Sequence, residues 1–358
     1  MRARGTMLRL ARHHKGLQQN EAAPLLGTNQ PTLSRVENDL VEARPDLLIR
    51  AERLYDVPES FFFLTDPVLG PPVSVHAMWR RKASVTTKEM DSTVAELNIR
   101  VIHLRRLLEG VEVIHANNVP RLDIDDYESP ERVATVLRAH WKIPAGPIDN
   151  LTSIAERAGI LVAHSRLGQA SISGVTFSAP GLPPLIVLNS AMPADRMRFT
   201  LCHEIGHLVM HRFPSPTMEK EANEFAAAFL IPAGDIRQSF LGRRIDLPLL
   251  AALKPEWKVA IQALLMRSTS LGYLTANQSR YLWQQISANR MRLREPPELD
   301  FPHEQPSIIP SMLQIHESGL GYSMADLAKI LHAHEADIRE MYPRGESAVR
   351  KHKLSLMK

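Results

Sequence analysis

Three residues in the stretch FTLCHEIGHLVMH (199–211) carry the most chemistry in this chain: His203, Glu204 and His207. Residues four apart share one face of an α-helix, so the two imidazoles can aim at one point. Glu204 is rotated about 100° from His203. A base must sit there to take a proton from a water activated by a metal ion. The pattern predicts a divalent metal held by His203 and His207, and peptide hydrolysis in which Glu204 accepts a proton and returns it to the leaving amine. The competing reading is an amphipathic helix whose histidines are merely surface or core residues. Phe199, Cys202, Ile205, Leu208 and Val209 make that helix mostly buried, however, and buried imidazoles and carboxylates need partners or a metal.

A catalytic zinc site takes three protein ligands and keeps one position open. His211 lies eight residues beyond His203, roughly 12 Å along a helix axis. That is too far to share its ion, so His211 reads as structural or as a partner of a ligand. The next apolar-striped segment, MEKEANEFAAAFLIP (218–232), offers a carboxylate. Glu219 shares a helix face with Asn223, which could hydrogen-bond a metal ligand. Glu221 points about 200° away around the helix and is the rival third ligand. The shared face favours Glu219, and Glu221 stays open. Two histidines and a carboxylate suit Zn2+ and also tolerate Mn2+ or Fe2+.

These helices need positioning elements. GILVAHS, SISGVTFS and PPLIVLNS, between 159 and 190, are short β-prone runs separated by Gly and Pro and predict a small sheet. The first metal-bearing helix then runs from near Pro193, after an Asn189-Ser190 cap, to about His211; the second runs from near Thr217 to before Pro232. Upstream, apolar spacing over 85–117 predicts one helix, with others around 129–141 and 148–159. A Pro/Gly-rich linker begins after Asp66. Beyond 247 the chain reads as helical again, interrupted over 296–310.

Composition bounds the function. The 358 residues are 44% hydrophobic and 23% charged, with a formal net charge of +4 and a single cysteine, Cys202. No uncharged apolar run reaches the ~18 residues a membrane span needs. No signal-peptide pattern follows the basic N-terminus. One cysteine cannot form an internal disulfide, and a reducing cytoplasm fits best. The early basic residues Arg2, Arg4, Arg9, Arg12 and Lys15 are compatible with nucleic acid but do not prove it.

LARHHKGLQQNEAAPLLGTNQPTLSRVEN (10–38) carries a second signature. A helix from Gln19 stops at Gly27, and Thr28 or Asn29 caps another from residue 30. That is helix-turn-helix spacing. Gln30, Thr32, Ser34 and Arg35 face outward on the second helix and suit base edges or phosphates, while Gln19 suits the DNA backbone. Pro24 inside the first helix should remove a hydrogen bond or bend it. A helical bundle for protein contacts is the competing reading.

The segment 4–63, including its DVPESFFF ending, resembles the XRE/Cro repressor family. RMRFTLCHEIGHLVMH followed by EKEANEFAAAFLIP resembles the ImmA/IrrE metallopeptidases, closely over about 170–235. The combination resembles a bacterial and phage architecture, to which WRRKASVTTKE and the helices from Pro255 to Arg292 also conform. The resemblance implies His203, His207 and Glu219 as metal ligands and Glu204 as base. It also implies a repressor protein, cut to relieve repression, as substrate, and double-stranded DNA as partner, with a homodimer if a palindrome is read. The expected fold is mainly α with a small β-sheet. It comprises an all-α helix-turn-helix domain (1–66), a helical connector (67–145), a zincin-like α+β peptidase domain (146–246) and a helical C-terminal domain (247–358). Within the last, 323–342 shows another helix–turn–helix pattern, equally readable as a packing bundle. The alternative function is a transcription regulator whose zincin-like domain is a non-catalytic sensor.

Overall fold

The computed structural model describes residues 2–71, 86–114, 117–167, 172–343 and 353–356; the expected WRRKAS part of the linker lies outside them. The architecture is mainly helical with a small three-stranded sheet.

The N-terminal bundle comprises α1 (Gly5–His14), α2 (Gln19–Leu25), α3 (Gln30–Glu37), α4 (Pro45–Tyr55) and a 3-10 turn (Glu59–Phe63). Asn29 caps α3 by accepting from the Thr32 amide at 2.9 Å. Gly27 turns the chain at φ +64°, where only glycine is unstrained. Pro24 is exposed and α2 continues past it to Leu25. Met7, Leu8, Leu33, Leu47 and Phe62 fill the core. Through it runs a buried ion pair, in which Arg12 Nε and Nη2 donate to Glu37 at 2.6 and 2.8 Å. The early basic residues largely turn inward or pair locally, with Lys15 on Asp56 and Arg2 on the Asp39 carbonyl.

The helix expected over 85–117 forms α5 (Thr87–Gly110), started by a Thr86/Glu89 capping box. It stops earlier than its apolar spacing suggests. Val111–Ile114 instead form β1, paired antiparallel with β5 (Lys353–Leu356). Gly110 is a poor helix former and the residues after it are rich in β-branched side chains, so a distant cross-strand partner wins. One side of α5 (Ala95, Ile99, Ile102) completes the core of the N-terminal bundle. Another (Leu97, Val101, Leu104, Leu107) enters a second core.

After α6 (Pro130–His140) and α7 (Leu151–Arg157) come β2 (Leu161–Ser165), β3 (Gly174–Phe177) and β4 (Leu185–Asn189). The spatial order is β2-β4-β3, with β2 parallel and β3 antiparallel to β4. Period-two alternation divides the sheet between two cores. Val162, Ile186 and Leu188 face the larger one, shared with α8 (Ala194–Met210) and α9 (Met218–Leu230). Leu161, Val175, Phe177 and Val187 face the core shared with α5.

The larger core continues past residue 246, where the return of helical patterning suggested a boundary. After α10 (Ala233–Phe240), the helices α11 (Leu247–Trp257), α12 (Ile261–Ser270) and α13 (Ala276–Ala288) place Leu250, Trp257, Leu264 and Ile286 in the same cluster as Cys202 and Phe229. The predicted break over 296–310 ends sooner. α14 (Ile308–Ser318) takes Pro310 into its first turn, and the Glu156 carboxylate accepts from the Ser307 and Ile308 amides. The C-terminal pattern forms α15 (Met324–Leu331) and α16 (Glu335–Met341), with the Ser323/Asp326 capping box present. This pair packs against the N-terminal bundle: His332 Nδ1 meets Ser60 Oγ at 2.9 Å, and Met341 touches both cores.

Two histidines, the buried His103 and the half-buried His164, are held in the neutral form. Burial, aided by Arg100 and Arg106, holds His103 down to about 3, and burial, aided by His303, holds His164 down to about 4. Both folded values lie below the ordinary 6.5, so the unfolded chain binds more protons once the pH falls through that value. Stability should therefore decline from there downward, by up to about 1.4 kcal/mol per pH unit for each ring. Urea denaturation between pH 7 and 5 should show a shallower loss in His103→Gln than in wild type. Parallel curves would count against this origin.

Candidate metal centre

The helices α8 and α9 approach closely because α8 has a glycine where they cross. A Cβ on Gly206 would sit 2.9 Å from the Phe225 ring and 3.5 Å from Ala222 Cα. Gly174 does the same for the sheet: a Cβ there would lie 2.6 Å from the Thr200 methyl. α8 therefore lies directly on β3. The expected Asn189-Ser190 cap does not form, and Pro193 precedes the first turn. The Asn189 amide instead donates to the Leu167 and Ile172 carbonyls at 3.0 and 2.8 Å, fastening those two residues to the end of β4.

His203, His207 and Glu219 converge, with one ligand-capable atom of each within 4.8 Å of the others. The two Nε2 atoms are 2.9 Å apart, and Glu219 lies 3.3 Å from His207 Nε2 and 3.8 Å from His203 Nε2. Both Nδ1 atoms are engaged elsewhere: His203 with Asn223 Oδ1 at 3.1 Å, His207 with His211 Nδ1 at 2.9 Å. His211 Nε2 in turn meets the Glu221 carboxylate at 3.0 Å.

Proton counting then tests the fit to a metal. A neutral imidazole has one N–H and one lone pair, and a carboxylate only accepts. His211 therefore donates from Nε2 to Glu221 and accepts at Nδ1. His207 donates from Nδ1, and His203 donates to Asn223. Both Nε2 atoms are left with lone pairs facing one another beside a carboxylate. Such a set repels itself unless a cation lies among its members. The donor types suit zinc, and manganese or iron are compatible.

Glu204 is buried on α8, and its Oε2 accepts from the Thr176 hydroxyl of β3 at 2.6 Å. Burial pushes the His203 imidazole below its ordinary value, opposed by the Glu204 carboxylate. Sequence reasoning named His203, Glu204, His207, Glu219 and Asn223, and the fold brings all five together. It did not find Thr176, which lies 28 residues from its partner on a strand. The one signal for the His211 contact was its position four residues after His207.

On the N-terminal bundle, Gln30 and Arg35 are exposed on α3, and Thr32 and Ser34 are half-buried. Gln19 is half-buried on α2, and its amide nitrogen donates to Glu37 Oε2 at 2.8 Å rather than projecting freely.

A helix-turn-helix bundle packed onto a small-sheet domain, with a two-histidine, one-glutamate cluster, defines a DNA-binding regulator with a metallopeptidase-like domain. Family comparison divides the chain in the same way. Residues 8–62 match the helix-turn-helix family, and residues 155–269 match the peptidase family described as IrrE N-terminal-like domain. The chain thus joins an XRE-type helix-turn-helix to an ImmA/IrrE-type domain. Among curated proteins no significant match was found.

Proposed function

We propose that this chain is a DNA-binding regulator whose second domain is a zinc-dependent endopeptidase that cuts a partner repressor and so relieves repression. The observation that carries this reading is the convergence of two imidazole lone pairs and the Glu219 carboxylate beside a buried, oriented Glu204. Bound there, a divalent metal would supply Lewis acidity toward a peptide carbonyl and toward water. Manganese or iron would serve the same donors.

The chain's own residues do the rest. Thr176 fixes one oxygen of Glu204 and leaves the other to accept a proton from the attacking water. As water adds to the carbonyl carbon and the C–N bond breaks, Glu204 returns that proton to the leaving nitrogen, so the proton balance closes. Asn223 holds the His203 ring. Among the described residues, no strand pairs with the outer edge of β3. An extended substrate segment could add there by main-chain hydrogen bonds, alongside the strand that bears Thr176.

The first test is metal content by plasma mass spectrometry on full-length protein supplied with zinc. Wild type should carry about one metal per chain, and Glu219→Ala should lose it. Cleavage of a proteome-derived peptide library, read by mass spectrometry, then tests the reaction. A loaded wild type that cuts neither the library nor candidate repressors would leave a sensor domain instead.

For DNA, we propose that Gln30, Thr32, Ser34 and Arg35 form the reading face, with Gln19 at the backbone. Arg35→Ala should weaken binding to duplexes selected from a random pool by about 10- to 100-fold, as loss of one good arginine contact does. Unchanged affinity would remove Arg35 from the interface.

A further inference from the structure

The structure assigns His211 and Glu221 a task of their own: we propose that they are positioning residues that set the orientation and tautomer of the His207 ring, and thereby govern metal retention. This deepens the endopeptidase reading and rests on it.

His207 is gripped at both ring nitrogens by the first turn of one helix. Glu219 lies 3.3 Å from Nε2. Glu221, two residues on, reaches Nδ1 through His211, by contacts of 3.0 and 2.9 Å. The arrangement depends on where α8 ends. His211 follows the last helical residue with φ −108° and ψ 112°, out of the helix, while its amide still donates to the His207 carbonyl at 3.1 Å. That break swings the His211 ring back against His207 and across to α9. The side chains of His207 and His211 are 5% and 3% exposed, so water does not readily replace the contact between them.

The same geometry argues against the two simpler roles. Neither nitrogen of His211 faces the cluster, so it is not a ligand. The Glu221 oxygen lies on His211, outside the group formed by His203, His207 and Glu219. With Glu221 absent, His211 loses the acceptor that fixes its proton on Nε2. Its Nδ1 can then carry the proton, and His207 is free to place its own proton on the nitrogen that must meet the metal. Partners of this kind typically contribute 10- to 100-fold in metal affinity.

The experiment is zinc affinity by competition with a chromophoric chelator, on full-length wild type, Glu221→Ala, Glu221→Gln, His211→Ala and the double alanine variant. Apo-protein melting is measured alongside. Glu221→Ala should still bind one zinc but about 10- to 100-fold more weakly, with the apo melting temperature little changed. Glu221→Gln keeps an accepting carbonyl and should recover part of the loss. The double variant should be no worse than the weaker single variant, because both act through one chain of contacts. Long-range 1H–15N spectra of the zinc-loaded wild type should show His207 protonated at Nδ1. Wild-type affinity in Glu221→Ala would overturn the relay alone. Complete loss of zinc there, as for Glu219→Ala, would make Glu221 a ligand and also overturn it. A wild type that binds no zinc would overturn the site reading and the relay together.

Discussion

Glu204→Gln is expected to keep its metal and its fold while losing peptide cleavage by about 10²- to 10⁴-fold, the usual contribution of a general base. The substitution preserves shape, and Glu204 is buried between α8 and β3. Thr176, which donates to Glu204 at 2.6 Å, can donate equally to a glutamine carbonyl. What disappears is the ability to take a proton from water and carry it to the leaving nitrogen. Zinc content and turnover of a cleaved library peptide, measured on one preparation, separate the two effects. Retained turnover would remove Glu204 from the reaction. Lost zinc would mean that the carboxylate supports the metal rather than the chemistry.

The largest effect on stability is expected at Lys254. Its ammonium lies in the interior with Asp195 at 2.5 Å and Glu295 at 2.7 Å, and all three residues are buried. Burial pulls the lysine pKa down, but the hydrogen bonds to both carboxylates outweigh it and hold the pKa above its ordinary value. Glu295 also accepts from the Ile261 amide at the start of α12, and Asp195 stands in the first turn of α8. The trio therefore binds α8, which carries His203 and His207, to the helices beyond residue 246. Lys254→Met leaves two carboxylates facing each other without a counter-charge. Breaking a buried pair in this way costs about 3–5 kcal/mol. Urea denaturation at pH 7 should show that loss, and the deficit should shrink as acid protonates one carboxylate. A change under 1 kcal/mol, well below that estimate, would mean that water reaches the trio.

What the sequence revealed follows the range over which each interaction acts. That His203 and His207 would share a face was readable because their spacing is a property of one helix, and Glu219 was readable as a candidate from its own face and from family resemblance; the fold brings the three together. The strands announced themselves by β-branched runs between Gly and Pro. Thr176 gave no signal, since its role exists only once β3 lies against α8, and Gly174 permits that contact. Val111–Ile114 continued an apolar helical pattern because the same residues also suit a strand; the choice lay with a partner some 240 residues away. Beyond 247 the chain read as helical, but nothing local says which core receives α11 to α13. Gln19 looked like a surface amide, and only the fold shows its nitrogen directed to the buried Glu37.

α5 has a consequence for how such chains are assembled. It carries two hydrophobic stripes, one for the N-terminal bundle and one for the layer behind the sheet. Its sequence therefore answers to both neighbours at once. A recombination event that exchanged only the segment before residue 66 would bring in a bundle whose surface must fit a stripe selected against a different partner. On these contacts, a transplant of the N-terminal bundle that keeps its core intact takes α5 along as far as Gly110.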